Sequence, residues 1–515
     1  MNGAQALIRT FVGSGVDVCF ANPGTSEMHF VAALDDVPEM RAVLGLFEGV
    51  VTGAADGYGR MARRPAATLL HLGPGLGNGI ANLHNARRAR TPIVNLVGDH
   101  ATNHLAYDPP LASDIESLAR PVSRWFRSSV RADALAADAV AAVQGAFGPP
   151  GGVATLVVPA DLSWQEAGEP ATSRPGSELS TVVDDAVVGA AKALRSGEPV
   201  VLLVGGNAVL ERGLVAAGRV ASATGAKLLC ETFPARIERG AGIPAVERLG
   251  YLAEFTIAQL QGAKHLVLAD ALAPVSFFAY PGLPGYLVPD GCEVHTLATG
   301  SDDVVGALEA LADALGAAPD AAVRQAPVRP DRPTGALDAQ TMAAAIGALL
   351  PEGAVVSDEG NTSGLFVSGA TAGGPRHDWL CLTGGAIGQG LPVATGAAVA
   401  CPDRPVLSLE ADGSAMYTLQ SLWTQVRESL DVTTVIINNG SYAILELELS
   451  RVGAGDPGPR ARGMLDLKRP DLDFVALASG MGVPATRAST AEEFTRQLER
   501  AFSTPGPALV EAVLR

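Results

Sequence analysis

The chain has 515 residues, is 48% hydrophobic and 18% charged, and carries a formal net charge of −17. That length exceeds what one hydrophobic core serves and predicts about three domains, while the negative charge argues against nucleic acid or an acidic membrane surface as a partner. Five cysteines without a CxxC pair exclude a zinc ribbon and a disulfide framework and suit a reducing, cytoplasmic setting.

The N-terminal MNGAQALIRTFVGSG reads as an amphipathic helix and not as a signal-peptide core. Strand-like VDVCFANPG, AATLLHLGPG and TPIVNLVGD follow, with helical stretches between them. Such alternation predicts a parallel sheet covered by helices, whose ligands bind at the carboxyl ends of the strands. Polar residues fall at those ends. NPGTSE offers the hydroxyls of Thr25 and Ser26, either as a helix N-cap or as partners for a carboxylate or carbonyl. Glu48 stands where a strand-like run meets an apolar, glycine-rich helix, with no opposite charge beside it in sequence. It is either a first-turn acid facing water or a buried carboxyl that needs a donor. His71 closes a strand just before Gly73 and Gly75; His100 and His104 follow the next strand in GDHATNH. Each histidine is open to a structural role and to proton transfer.

Two linkers, residues 165–178 and 317–335, divide the chain into α/β units of about 1–165, 180–318 and 336–515. The middle unit has strand-like PVVLLVGG and HLVLADA, and its Gly205-Gly206-Asn207 turn is weak evidence for a nucleotide. In the third unit AVVSDEGNTSG reads as strand, loop and helix, with Asn361 and Thr362 at the helix start as caps or anion ligands. The uncharged run Leu380 to Cys401 carries Gly384, Gly385, Gly388 and Gly390 and reads as a buried loop and helix, not a membrane span. VLSLEADGS and VTTVIINN read as successive strands. Asp412 and Asn439 are 439 − 412 = 27 residues apart, one strand–helix–strand passage, so both emerge at one sheet edge. Their hard oxygen ligands suit Mg²⁺, with Ca²⁺ as the alternative. Gly413 lets the chain turn, and Ser414 can meet a phosphate at the helix start.

With these motifs the chain resembles the thiamine diphosphate (ThDP) enzymes over nearly its whole length. The resemblance is to benzoylformate decarboxylase and the acetolactate synthase-like 2-oxo acid decarboxylases and carboligases. The family pattern is GDG followed by NN; here Ala411 takes the place of the first glycine. The resemblance implies an α/β fold of three doubly wound parallel-sheet domains: pyrimidine-binding, central and diphosphate-binding. It implies a metal held by Asp412, Asn439 and the carbonyl of Ser441, and a diphosphate held by Asn361, Thr362, Gly413, Ser414 and Tyr442. Glu48 would bond N1′ of the aminopyrimidine, Ile387 would support the bend of the cofactor, and the carbonyl of Gly385 would receive the 4′-amino proton. A homodimer or homotetramer is implied, with one subunit supplying Glu48 and another the diphosphate half.

The substrate side is less uniform. By the resemblance Thr25, with Ser26 beside it, replaces a substrate-facing serine, and His71 matches a proton-relaying histidine. Leu445 is a pocket-wall residue; Glu448 stands where that relative has an aromatic wall, and is either a pocket acid or a solvated one. APVSFFAYPG, with Phe277, Phe278 and Tyr280, lacks the second catalytic histidine of benzoylformate decarboxylase. The residues that true acetolactate synthases use for FAD and a second oxo acid are not matched, so FAD is not expected. The expectation is a ThDP- and Mg²⁺-dependent lyase acting on a 2-oxo acid, with carboligation to an acyloin open. The alternatives are an acetolactate synthase-type carboligase and a non-catalytic binding protein on the same fold.

Overall fold

The computed structural model describes residues 1–173, 179–455 and 457–514; the end of the first linker, residues 174–178, lies outside them. The first helix, Gly3–Gly13, is capped by Asn2, whose side chain and that of Gln5 satisfy each other's backbone N–H, and it buries Leu7, Ile8 and Phe11.

Three sheets carry the chain. The first has six parallel strands in the order Arg41–Leu44, Val18–Asn22, Ala66–Leu70, Ile93–Asp99, Val153–Pro159, Trp125–Ser128. The second has five parallel strands, with Val200–Val204 at its centre and His265–Ala269 and Glu293–Ala298 on one side. The third orders Ala485–Ala488, Ala508–Val513, Val432–Asn438, Val406–Ala411, Val355–Glu359 and His377–Cys381 as parallel neighbours. Their central strands are buried along both faces, as helices on both sides require. A seventh strand, Ile237–Arg239, joins the third sheet antiparallel to His377–Cys381, although in sequence it lies among the strands of the second.

The first and third sheets meet through helices Glu48–Ala62 and Gly390–Ala400. Glycines set this seam: a methyl group at Gly57 would fall 2.1 Å from the Val393 carbonyl oxygen, and one at Gly396 would fall 1.8 Å from that of Ala54. The glycine-rich character of both helices thus reflects backbone-to-backbone packing. Buried Arg60 pairs with Asp56 of its own helix at 2.6 Å and reaches across the same seam to donate to the Cys381 carbonyl at 2.8 Å. The apolar run from Leu380 resolves into the end of a strand, a turn and an 11-residue helix. Among the described residues no helix is long and apolar enough to cross a membrane.

Candidate active site

At the carboxyl edge of the third sheet three loops are tied to one another. Asp412 opens helix Asp412–Thr418 directly after its strand and is buried. Its Oδ1 accepts from the Gly413 amide at 2.8 Å and its Oδ2 from the Gly440 amide at 2.7 Å, which links the second loop to the third. Asn439 Nδ2 donates to Ser363 Oγ at 3.2 Å, and Asn361 Nδ2 donates to Ser414 Oγ at 3.0 Å, which link the first loop to both others. Burial raises the Asp412 carboxyl above its ordinary range, against the pull of its amide donors. Ala411 has φ −70°, a backbone any residue adopts, so the extra methyl does not disturb this turn. Gly413 has no such latitude: a methyl there would fall 2.3 Å from the Tyr442 ring. Asn439 Oδ1 accepts from the Ser441 amide at 2.9 Å, and the Ser441 hydroxyl donates to Glu446 at 2.9 Å. Thr362 is half-buried in the first turn of helix Asn361–Ala370.

The turn that carries Gly385 and half-buried Ile387 is held from several sides. Asn82 donates to the Gly388 carbonyl at 3.2 Å and to the Gly49 carbonyl at 2.8 Å, so it bridges the start of helix Glu48–Ala62 to this turn. Asn85 donates to the Ala386 carbonyl at 2.8 Å. From below, buried Glu359 accepts from the Gly388 amide at 2.7 Å and from the Gly390 amide. A second buried carboxyl, Glu410, is its register partner on the neighbouring strand. Burial raises Glu359 to about 7 and Glu410 well above the ordinary carboxylate range. Gly385 has φ +74°, and a methyl there would fall 2.6 Å from the ring of Phe277.

The first sheet gathers a second group. Glu48 is the first residue of its helix, and its Oε2 accepts from Asn78 at 3.0 Å. Gly75 lies between Glu48 and His71: a methyl on it would fall 3.1 Å from Glu48 Oε1 and 3.5 Å from His71 Cβ. His71 Nδ1 is 2.8 Å from Glu27 Oε2, which also accepts from the Gly24 amide at 2.7 Å. Glu27 lies in the first turn of the short helix Thr25–Glu27 and is nevertheless buried, and desolvation raises its carboxyl against the opposing pull of the Gly24 amide and His71. Strand pairing of Asn22 with Leu70 is what brings NPGTSE to His71. In that loop Thr25 is exposed and Ser26 half-buried. His100 stacks edge-to-face on His104 at 5.7 Å, and its Nε2 is buried without a hydrogen-bond partner among the described residues.

Glu448 is half-buried. Its Oε1 accepts from Tyr280 at 3.0 Å and Tyr251 at 3.4 Å, both from the stretch between the linkers. Tyr251 packs on Phe277 at 5.2 Å between ring centres, so an aromatic wall runs from Glu448 to the Gly385 turn. Leu445, on the same helix, is exposed. Of the two readings of Glu448, these contacts favour the pocket acid over the solvated one. Glu27, Asn78, Ser363 and Tyr251 were missed; the capping-box position of Glu27 was the one available signal.

The donor set fits a diphosphate and a hard cation. Hydroxyl, carboxamide and helix-start amides converge with one carboxylate, and no cationic side chain is hydrogen-bonded to Asp412 among the described residues. Residues 1–117 match the thiamine pyrophosphate enzyme N-terminal TPP binding domain, and residues 358–512 match the C-terminal TPP binding domain of the same enzymes. The chain is 61% identical over its whole length to a Mycobacterium tuberculosis protein named "Putative acetolactate synthase large subunit IlvX", of which 99% is covered. It is 30% identical to benzoylformate decarboxylase of Pseudomonas aeruginosa, over 96% of each chain. The structure of a ThDP-dependent 4-hydroxybenzoylformate decarboxylase from Rhodococcus jostii RHA1 superposes with a TM-score of 0.86, at 24% identity, over 100% of this chain and 99% of that one.

Proposed function

We propose that this chain, which belongs to the thiamine diphosphate enzyme family, is a ThDP- and divalent-metal-dependent lyase that decarboxylates a 2-oxo acid. The observation that carries the reading is the cross-linking of three strand-end loops by Asp412–Gly440, Asn439–Ser363 and Asn361–Ser414. Asp412, Asn439 and the Ser441 carbonyl would hold Mg²⁺. Asn361, Thr362, Gly413, Ser414 and Tyr442 would hold the diphosphate. ThDP, when bound, supplies the carbon nucleophile and the electron sink for losing CO₂ from a 2-oxo acid.

The protein's own part is positioning and proton control. Glu48 would share its proton with the pyrimidine ring nitrogen, with Asn78 orienting its carboxyl. Ile387 and the Gly385 carbonyl would support the cofactor on a turn that Asn82, Asn85 and Glu359 hold still. Glu27 accepts the Nδ1 proton of His71 in this reading, which leaves Nε2 to exchange a proton with the carbon that loses CO₂. Thr25 and Ser26 would orient the substrate carboxylate.

A carboligase of the acetolactate synthase type is the second reading, favoured by the name of the 61% identical relative. Against an FAD-dependent form, two carboxylates stand close to the Gly205–Gly206 turn: methyl groups there would fall 2.6 Å from Glu231 Cδ and 1.9 Å from Asp270 Oδ2, and Asp270 already takes up the nearby Arg90 guanidinium. The test is CO₂ release with product analysis across aliphatic, aromatic and basic 2-oxo acids, with and without ThDP and Mg²⁺. Turnover of one class that needs both cofactors supports the lyase, and an acyloin product selects the carboligase. Tight ThDP binding without CO₂ from any acid overturns decarboxylation.

A further inference from the structure

Far from these loops in sequence, the start of two neighbouring strands in the second sheet gathers three ligand-type side chains. His265 opens strand His265–Ala269 and Glu293 opens strand Glu293–Ala298; the two are register partners. His295, two residues on, lies on the same face as Glu293. His265 Nδ1 is 3.1 Å from His295 Nε2. Glu293 Oε2 is 3.7 Å from the former and 3.9 Å from the latter. Among the described residues this is the one grouping of three such side chains whose ligand atoms converge within 4.8 Å.

Two observations set it apart from a solvated histidine pair. Two ring nitrogens at 3.1 Å need a hydrogen or a cation between them. Glu198, in the loop after helix Asp184–Leu194, faces the other nitrogen of the first ring, His265 Nε2, at 3.1 Å. A carboxylate there accepts a hydrogen bond from Nε2–H and so fixes the tautomer with Nδ1 as the lone-pair donor, the outer partner that metal-binding histidines regularly have. Ligand bonds of about 2.0–2.2 Å in tetrahedral geometry place ligand atoms roughly 3.3 Å apart, close to the separations found here. Both rings are largely covered, while Glu293 is 68% exposed and free to swing onto an ion. Two imidazoles and one carboxylate select borderline ions such as Zn²⁺ over Mg²⁺, and three protein ligands leave a fourth position for water.

We propose that His265, Glu293 and His295 form a transition-metal site of Zn²⁺ type, oriented by Glu198, which clips two parallel strands to the loop before Val200. The site is independent of the cofactor reading above. The experiment uses the untagged full chain loaded with ThDP and excess Mg²⁺. Zn²⁺ is titrated by calorimetry, and Co²⁺ is followed by its visible absorption. One equivalent per chain is expected, with the intense Co²⁺ bands of low coordination. His295→Ala or His265→Ala should weaken binding at least about 100-fold, and Glu198→Gln about 10- to 100-fold, with the far-UV circular dichroism of each variant unchanged. Absence of saturable binding in excess Mg²⁺ overturns the site. So does one equivalent that binds both histidine variants with unchanged affinity, since the ion would then sit elsewhere.

Discussion

Single residues carry the sharpest consequences. In the proposed mechanism Glu48→Gln keeps a hydrogen-bonding group for Asn78 but loses the exchangeable proton. Turnover should fall about 10²- to 10⁴-fold, while ThDP affinity measured by calorimetry changes little. Glu448 is held by two tyrosine hydroxyls and continues an aromatic wall that reaches the Gly385 turn. Glu448→Leu should therefore raise kcat/KM for an unsubstituted aromatic 2-oxo acid at least about tenfold, against a polar one, by removing a carboxylate that an apolar ring would have to desolvate. At this scale legibility was uneven. Asp412 and Asn439 could be paired from their spacing because a parallel crossover has a narrow range of lengths. The Glu27–His71 contact could not, because it depends on which strands are neighbours, and a separation of 44 residues says nothing about that.

Among the elements, the strand-end turn before helix Gly390–Ala400 rests on a buried acid pair. Glu359 is raised to about 7 from an ordinary 4.5, and Glu410 well above it, both by burial. The folded chain thus holds more protons than the unfolded chain above the ordinary carboxylate value. Stability is full below about pH 4.5 and falls as pH rises, on the order of 3 kcal/mol by pH 7 for a carboxyl shifted as Glu359 is. Glu410→Gln imitates the protonated acid at every pH. Its melting temperature should match the parent at pH 5 and exceed it at pH 8 by roughly 5 °C, read from paired calorimetric scans. The alternation of strands and helices was plain in the sequence because most central strands are apolar-rich runs bounded by glycine or a polar turn. Helix starts were less so: helix Asp412–Thr418 begins directly at the strand end, with Gly413 inside its first turn and not in a separate turn before it, and the Gly440 amide that meets the Asp412 carboxylate comes from a loop no local pattern reveals.

For the whole molecule, the proposed assembly makes a test that no single chain can pass. Leu365 and Phe366 stand exposed beside Asn361, as does Tyr417 beside Ser414, apolar surface around a polar site that a second copy would cover. If one subunit supplies Glu48 and its partner Asp412, neither Glu48→Gln nor Asp412→Asn chains work alone. Co-expressed together they should recover about a quarter of parent activity, since half of randomly paired dimers hold one intact site of two. No recovery in isolated mixed dimers would mean that each chain completes its own site.

The strand Ile237–Arg239 carries a different lesson. It is encoded among the strands of the second sheet yet completes the edge of the third, along His377–Cys381. Recombination between relatives that exchanged residues 180–318 as a cassette would therefore also replace an edge of the sheet that bears Asp412. Such hybrids will inherit the donor's fit at that edge, and crossover points that leave residues 237–239 with the recipient should give the viable progeny.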